Sequence, residues 1–164
     1  MVFSSFQRGA IVASLGLALA ACGGGAEGEG ATAAGPEPEV IDERQANFKA
    51  IGDSFKAIRE QLETESPDMA IITSAATDLN TAAGKIEGHF PEGTSVEDGY
   101  DTEALATIWQ KPEEFAAAQQ MLIDASAEMV TIAESGDAAA IGAQVGAVGK
   151  SCKNCHDQFR VDDD

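Results

Sequence analysis

Four stretches of the chain repeat apolar residues at alternating steps of three and four positions, the spacing that places side chains on one face of an α-helix. Between these stretches lie residues that end or begin helices, among them Pro67, Pro91, Pro112 and Gly136. None of the four stretches shows the strict alternation of apolar and polar residues that is typical of a half-buried strand. The sequence therefore predicts an all-α fold, an antiparallel four-helix bundle whose core is formed by the four stripes.

The stripes cover most of residues 40–160. The first comprises Ile41, Arg44, Phe48, Ile51, Phe55, Ile58 and Leu62. The second comprises Met69, Ile72, Ala76, Leu79, Ala83, Ile86 and Phe90. The third comprises Phe115, Ala118, Leu122, Ala125, Met129 and Ile132. The fourth comprises Ala138, Ile141, Val145, Val148, Cys152, Cys155 and Phe159. Residues 91–111 lack a stripe and are predicted to form a loop that packs through Ile108 and Trp109.

Capping residues predict where the helices begin and end. Ser66 is predicted to cap the second helix, with Pro67 as its first residue. That helix is predicted to continue to Phe90. Gly136 followed by Asp137 predicts a glycine stop for the third helix and an acidic cap for the fourth.

The fourth stripe contains the motif Cys152-Lys153-Asn154-Cys155-His156. Cys-x-x-Cys-His is the attachment signature of c-type haem, because two thiols three residues apart on a helix can each form a thioether with one porphyrin vinyl group. A thiol-disulfide redox pair or half of a zinc site is the alternative. The place of both cysteines on a core-facing stripe favours haem, since a redox pair more often lies at a helix start near a loop.

Three glycines lie in the same predicted helix, at Gly142, Gly146 and Gly149. Each glycine lowers helix stability by about 1 kcal/mol relative to alanine in a helix interior, so we expect a packing requirement to explain their presence. The missing side chains predict close approach of either a large flat group or a neighbouring helix.

The N-terminal residues have the pattern of an export signal. A positively charged start precedes an apolar run too short to span a membrane, so residues 1–21 are predicted to be a signal peptide. Leu19-Ala20-Ala21-Cys22 resembles the lipobox of bacterial lipoproteins, with an ordinary cleavable signal as the alternative. Residues 22–39 are rich in Gly, Ala, Glu and Pro and are predicted to be a flexible tether. We expect a periplasmic domain at residues 40–164, held to a membrane by lipid on Cys22.

The charge balance limits the partners of the chain. There are 28 Asp and Glu residues against 10 Lys and Arg, a formal net charge of −18. Nucleic acid is excluded as a partner because the sequence offers no basic stripe to neutralise phosphates. A redox partner protein with a basic docking surface fits better, with solubility as the alternative role of the charge. No pair of residues resembles the acid and base of an enzyme, so no enzymatic activity is expected.

Several separated segments resemble the cytochrome c prime family, the class II c-type cytochromes whose haem motif lies near the C-terminus of a four-helix bundle. In chain order they are residues 44–45, 48–52, 90–94, 108–109, 136–137, 148–149, 152–156 and Arg160. Their order and spacing match the family, and they extend over about residues 40–160.

The resemblance implies one haem c, attached covalently through Cys152 and Cys155, with His156 as the proximal axial ligand of the iron. It also implies that Arg44 and Gln45 contact the haem propionates. An arginine on an apolar stripe needs an anion on physical grounds as well, and a glutamate is the alternative partner of Arg44.

Arg160 resembles the basic residue that the family places on the proximal side of the haem. The alternative for Arg160 is a solvated position at the end of the chain.

Phe48 falls where the family places the residue that covers the distal face of the iron. Relatives with methionine there are six-coordinate electron carriers, whereas phenylalanine cannot bind iron. The resemblance therefore implies a five-coordinate haem open to NO or CO, with Phe48 also filling the core. The predicted function is an extracytoplasmic haem protein that binds small gases, with NO sequestration or protection as its role, and can transfer one electron. The alternative is a membrane-tethered electron carrier with a six-coordinate haem.

The sequence also departs from the family. Leu105-Ala106-Thr107 stand where many relatives have a basic residue, proline and glutamate, which puts a propionate contact from this loop in doubt. His89 and Met69 are further candidates for a distal ligand, but we expect a surface role and a core role for them. The family often forms dimers through its first two helices, and no patch in this sequence decides whether the chain is a homodimer.

Overall fold

The computed structural model describes residues 37–162. Its four long helices are α1 (Glu39–Leu62), α2 (Met69–Ala83), α4 (Pro112–Ser135) and α5 (Ala138–Phe159), and the single turn α3 spans Thr107–Gln110. The predicted signal peptide, Cys22 and nearly all of the predicted tether lie outside the described residues. Among the helices described, none has both the length and the apolar composition needed to cross a membrane.

The long helices form the four-helix bundle that the stripes predict. α1 packs on α2, α2 on α4, and α4 on α5. The side chains of Ile58, Ile72, Leu79, Met129 and Ile141 are fully buried at its centre.

A polar link adds specificity between α2 and α4. Asn80 donates from Nδ2 to Ser126 Oγ at 2.9 Å and to the Ile123 carbonyl at 3.2 Å. Ser126 is completely buried, and its hydroxyl donates to the Ile123 carbonyl at 3.0 Å while it accepts from Asn80, so both its donor and its acceptor have partners.

The prediction for α2 was wrong at both ends. The cap is Asp68, whose carboxylate accepts the amides of Ala70 and Ile71, so α2 begins at Met69 rather than at Pro67. Aspartate is as good a capping residue as serine, so the position directly before the first helical residue decides which of the two acts as the cap. α2 ends at Ala83, before a turn at Gly84, and the chain continues as a short 3₁₀ helix at Ile86–His89.

The predicted junction between the last two long helices is confirmed. Gly136 ends α4 with φ of 70°, in the left-handed region where glycine has no steric penalty. Asp137 caps α5 by accepting the amides of Ala139 at 2.9 Å and Ala140 at 3.1 Å.

Residues 94–106, which we call the strap, link α1 to the end of α5. At the α5 end, the Leu105 amide donates to the Phe159 carbonyl at 3.0 Å and the Val161 amide to the Glu103 carbonyl at 2.9 Å. Beyond the strap, Thr107 Oγ1 donates to the Gln158 carbonyl at 2.9 Å. At the α1 end, Arg44 Nη2 donates to the Thr94 carbonyl at 2.9 Å and to Thr102 Oγ1 at 2.8 Å, so the irregular segment is held by specific bonds to two helices.

Packing by Ile108 and Trp109 is also confirmed. Ile108 is buried, and Trp109 packs against the core and donates from Nε1 to the Phe90 carbonyl at 3.0 Å.

Candidate functional site

The site is a cavity of about 1000 Å³ lined mainly by α1, α4, α5 and the strap. α1 and α5 are neighbours in the bundle but contact each other only over a short stretch. The volume is at the upper end of the range of about 300–1000 Å³ typical of ligand and cofactor pockets. The helices thus leave room between them for a large group.

A row of phenylalanine rings forms one wall of the cavity. Phe48 meets Phe90 edge to face with ring centroids 6.2 Å apart, Phe90 meets Phe115 at 4.9 Å, and Phe115 meets Phe159 at 5.1 Å. Such T-shaped contacts are the favoured arrangement of aromatic rings and fix their positions. Phe48 therefore lies on a rigid apolar wall, partly buried and facing the cavity.

Cys152 and Cys155 lie half-buried on the cavity side of α5. Burial raises the pKa of both thiols, and for Cys155, which also lies beside Cys152, the pKa is raised to about 11. A reactive redox pair needs lowered thiol pKa values, so these cysteines do not suit thiol-disulfide exchange. Within residues 37–162 no three His, Cys, Asp or Glu side chains are grouped to hold a metal ion.

His156 and Arg160 line the same cavity one helical turn apart. The His156 side chain is exposed, and its carbonyl accepts the Arg160 amide at 3.1 Å. Arg160 Nε lies 2.7 Å from Glu103 Oε2 on the strap. The structure therefore disagrees with the alternative of a solvated Arg160.

Arg44 is buried on α1, with only 3% of its surface exposed. Its Nη2 donates to the Thr94 carbonyl at 2.9 Å and to Thr102 Oγ1 at 2.8 Å, and its Nη1 donates to Thr94 Oγ1 at 3.1 Å. The carbonyl of His89 is a further acceptor at 3.5 Å. All these acceptors are neutral, so the glutamate alternative is not found.

Burial lowers the pKa of Arg44, and the charge of Glu37 partly opposes this shift. The guanidinium also lies over the Phe90 ring, 4.8 Å from its centroid. A buried cation at the edge of a cavity, bonded to neutral oxygens, is a favourable site for an anionic group.

Gln45 lies at the exposed rim of the cavity. Its Nε2 donates to the Asp101 carbonyl at 2.8 Å, so in this structure it binds the strap.

The glycines differ in where they lie. Gly149 lines the cavity, where an added Cβ would lie 3.8 Å from Phe55 Cζ, and Gly52 lines it from α1 with no atom within 4 Å of such a Cβ. Gly142 and Gly146 are exposed, and nothing lies within 4 Å of an added Cβ. The predicted close approach is therefore wrong for Gly142 and Gly146.

Neither of the other candidate ligands lines the cavity. Met69 packs against the core at the start of α2, as expected. His89 is half-buried rather than on the surface, and its Nδ1 is buried without a hydrogen-bond partner among residues 37–162.

Sequence reasoning missed the strap residues that hold the site together: Thr94, Thr102 and Glu103. Their partners lie far away in the chain, and no local pattern marks them.

The cavity as a whole fits a haem. The cysteines suit its two vinyl groups, the imidazole suits its iron, the buried cation suits its carboxylates, and the apolar wall suits the rest of the group.

Comparisons with known proteins agree with this site. Residues 39–160 match the family described as Cytochrome C'. A cytochrome c' from Rhodospirillum rubrum is 37% identical over 125 residues, which cover 74% of this chain and 82% of that protein. A solved cytochrome c prime from Shewanella frigidimarina has a TM-score of 0.69 at 32% identity and covers 76% of this chain and 95% of its own.

A nitric oxide complex of a variant cytochrome c prime from Alcaligenes xylosoxidans has a TM-score of 0.68 at 27% identity, covering 77% of this chain and 98% of that one. The family match spans the cavity, both cysteines and the strap. The chain therefore belongs to the cytochrome c prime family, whose members carry covalently attached haem c.

Proposed function

We propose that this chain is an extracytoplasmic gas-binding haem protein with a five-coordinate iron. The observation that carries the proposal is the composition of the cavity wall. Among the described residues that line it there is no methionine, and no histidine besides His156. If His156 is the proximal ligand, the side of the cavity formed by Phe48 offers no second side chain to bind the iron.

The residues of the cavity have separate roles in this proposal. Cys152 and Cys155 would hold the haem through thioethers to its vinyl groups, and His156 would supply its imidazole to the iron. Arg44 and Gln45, at one edge, hold the haem carboxylates by charge and hydrogen bonding. When bound, the haem supplies an iron with one open coordination position.

Phe48 selects which small molecules can use that position. Its ring lies on the row of phenylalanines, which offers no hydrogen bond to water or to an anion. Neutral diatomics such as NO and CO lose little on leaving water, so an apolar wall favours them over charged ligands. The nitric oxide complex of the Alcaligenes xylosoxidans relative supports NO as the ligand. Sequestration of NO at the cell envelope is the role we propose.

Substitution of Phe48 tests the proposal. The haem-loaded wild type is expected to show a high-spin, five-coordinate Soret band and to bind CO without reacting with cyanide. Phe48→Met should shift the spectrum towards six-coordinate, low-spin haem, because the thioether can bind the iron. Phe55→Met, on the same helix and also in the cavity wall, is the matched control and should stay high-spin.

Two results would contradict the proposal. A well-folded Phe48→Met protein with an unchanged high-spin spectrum would show that Phe48 does not cover the iron. A low-spin wild type would favour the six-coordinate electron carrier instead.

We further propose that the chain is exported and anchored by lipid on Cys22, so that the haem domain is periplasmic. The lipobox-like residues 19–22 support this. Labelling of cells with a fatty acid should mark the wild type and not Cys22→Ser, while both should carry covalent haem. Equal labelling of the two proteins would contradict the anchor.

A further inference from the structure

We propose that Gly52 on α1 forms the entrance through which small neutral gases reach the cavity, and that its missing side chain sets the rate at which they enter and leave. The inference rests on the proposed function, because it concerns the passage of the gas that the haem would bind. Gly52 belongs neither to the haem motif nor to the stripe of core residues on α1.

The first observation is a gap in the part of the cavity wall that α1 forms. Gly52 is exposed to solvent and also lines the cavity. A Cβ added at Gly52 would meet nothing within 4 Å, so the space in front of this residue is open. The other α1 residues of the lining all carry long or bulky side chains: Arg44, Gln45, Phe48, Ile51 and Phe55. At Gly52 alone, this wall has no side chain.

The second observation is that contacts close the edge of α1 on both sides of Gly52. Phe55 lies one turn later and spans the seam to α5, since its Cζ would lie 3.8 Å from a Cβ added at Gly149. Gln45 lies two turns earlier and joins α1 to the strap, because its Nε2 donates to the Asp101 carbonyl at 2.8 Å. Gly52 is therefore the open position between two closed ones.

The third observation is the polarity of the exposed lining. Within residues 37–162, every exposed residue of the lining other than Gly52 has a polar or charged side chain. These residues are Gln45, Asp101, Glu103, Lys153, His156 and Asp157. Polar surface groups hold water by hydrogen bonds that a neutral diatomic does not replace. Since Gly52 lies one turn after Phe48, the entrance would open beside the ring proposed to cover the iron.

An entrance affects the rates of binding rather than the affinity. A side chain at Gly52 would raise the free energy of passage for a gas moving in either direction, while the contacts of the bound gas stay the same. The association and dissociation rate constants should therefore fall by the same factor. A residue that contacts the bound gas would instead change the Kd.

CO binding to the reduced, haem-loaded full chain tests the entrance. Stopped-flow mixing measures association, and displacement of bound CO by NO measures dissociation. We expect Gly52→Leu to lower both rate constants by about tenfold and Gly52→Ala by about twofold, with the Kd unchanged. Gly146→Leu places the same side chain on an exposed helix face outside the cavity, so this matched control should leave both rate constants unchanged.

Unfolding in guanidinium provides a second readout that needs no gas. Alanine stabilises a helix interior relative to glycine, and the open space at Gly52 accommodates its methyl group. Gly52→Ala should therefore raise the midpoint of unfolding while it slows CO binding. A lowered midpoint would show that close packing requires the glycine, and would overturn the entrance.

An unchanged association rate constant in Gly52→Leu, or in Gly52→Ala if the leucine variant takes up no haem, would also overturn the entrance. A changed Kd with unchanged association would do the same, because Gly52 would then act on the bound gas. In these cases gas binding by the wild type would still stand. A wild type that carries no covalent haem, or that fails to bind CO, would instead overturn the function on which the inference rests.

Discussion

The two seams of this bundle, between α2 and α4 and between α1 and α5, have the same helical periodicity, but one is closely packed and the other is open. Between α2 and α4 the seam is closed around large buried side chains such as Leu79 and Met129. Between α1 and α5 the seam is open, and glycines and half-buried phenylalanines and thiols line a cavity of about 1000 Å³. Apolar surface that no helix covers lowers the stability of the fold. The apolar lining of the open seam therefore becomes buried only when a ligand fills the cavity.

Filling the open seam should have the largest effect. Gly149→Phe places a ring in the cavity, and because overpacking is costly we expect the yield of covalent haem to fall by about tenfold. Gly146→Phe, three residues earlier on the exposed face, is the matched control. Haem staining of denaturing gels, normalised to protein, measures the yield, and equal losses in the two variants would contradict the comparison.

A cavity in the closed seam should affect stability alone. Met129 is fully buried, so Met129→Ala is expected to lower the free energy of unfolding by about 2–5 kcal/mol. Guanidinium unfolding of the haem-loaded protein measures this loss. The Soret band and CO binding should remain those of the wild type, and a changed spin state would show that the two seams are coupled.

Loss of Arg44 should release the strap over the open seam. Arg44→Gln removes bonds from a charged donor to Thr94 and Thr102, each with a net contribution of about 1.5–3 kcal/mol. We expect faster amide hydrogen exchange in residues 94–106. Arg44→Lys keeps the charge but lacks the forked donor, so it should restore exchange protection only in part. Unchanged exchange in Arg44→Gln would contradict this role.

The smallest effect concerns pH and one turn of the strap. The Ser95 hydroxyl donates to Asp98 at 2.7 Å and its amide at 2.9 Å, and these bonds lower the pKa of Asp98 below its usual 3.8. A lowered carboxyl pKa contributes stability above the unfolded value, which is lost as pH falls through the folded pKa. NMR titration should find a higher Asp98 pKa in Ser95→Ala, and an equal value would contradict the assignment.

The closed seam could be predicted from sequence more completely than the open one. Helix stripes depend on local spacing, so Leu79, Met129 and Ile141 were correctly placed in the core. The predicted start of α2 was wrong because two good capping residues, Ser66 and Asp68, stand close together, and spacing alone does not decide between them.

The site could be predicted only in its local parts. Cys152, Cys155 and His156 follow from one motif, and the burial of Arg44 follows from its stripe. Its acceptors Thr94 and Thr102 lie 50 and 58 residues away on an irregular segment, so no periodic signal reveals them. Haem contacts of Arg44, Gln45 and Arg160 remain predictions.

Trp109 has an optical consequence. It is the only tryptophan of the chain, and its indole donates to the carbonyl of Phe90, whose ring belongs to the cavity wall. A haem in that cavity would lie close enough to quench indole emission by energy transfer. The folded haem protein should therefore show almost no tryptophan fluorescence, and the fluorescence should increase on unfolding. It thus reports whether the haem lies in the cavity without an added label.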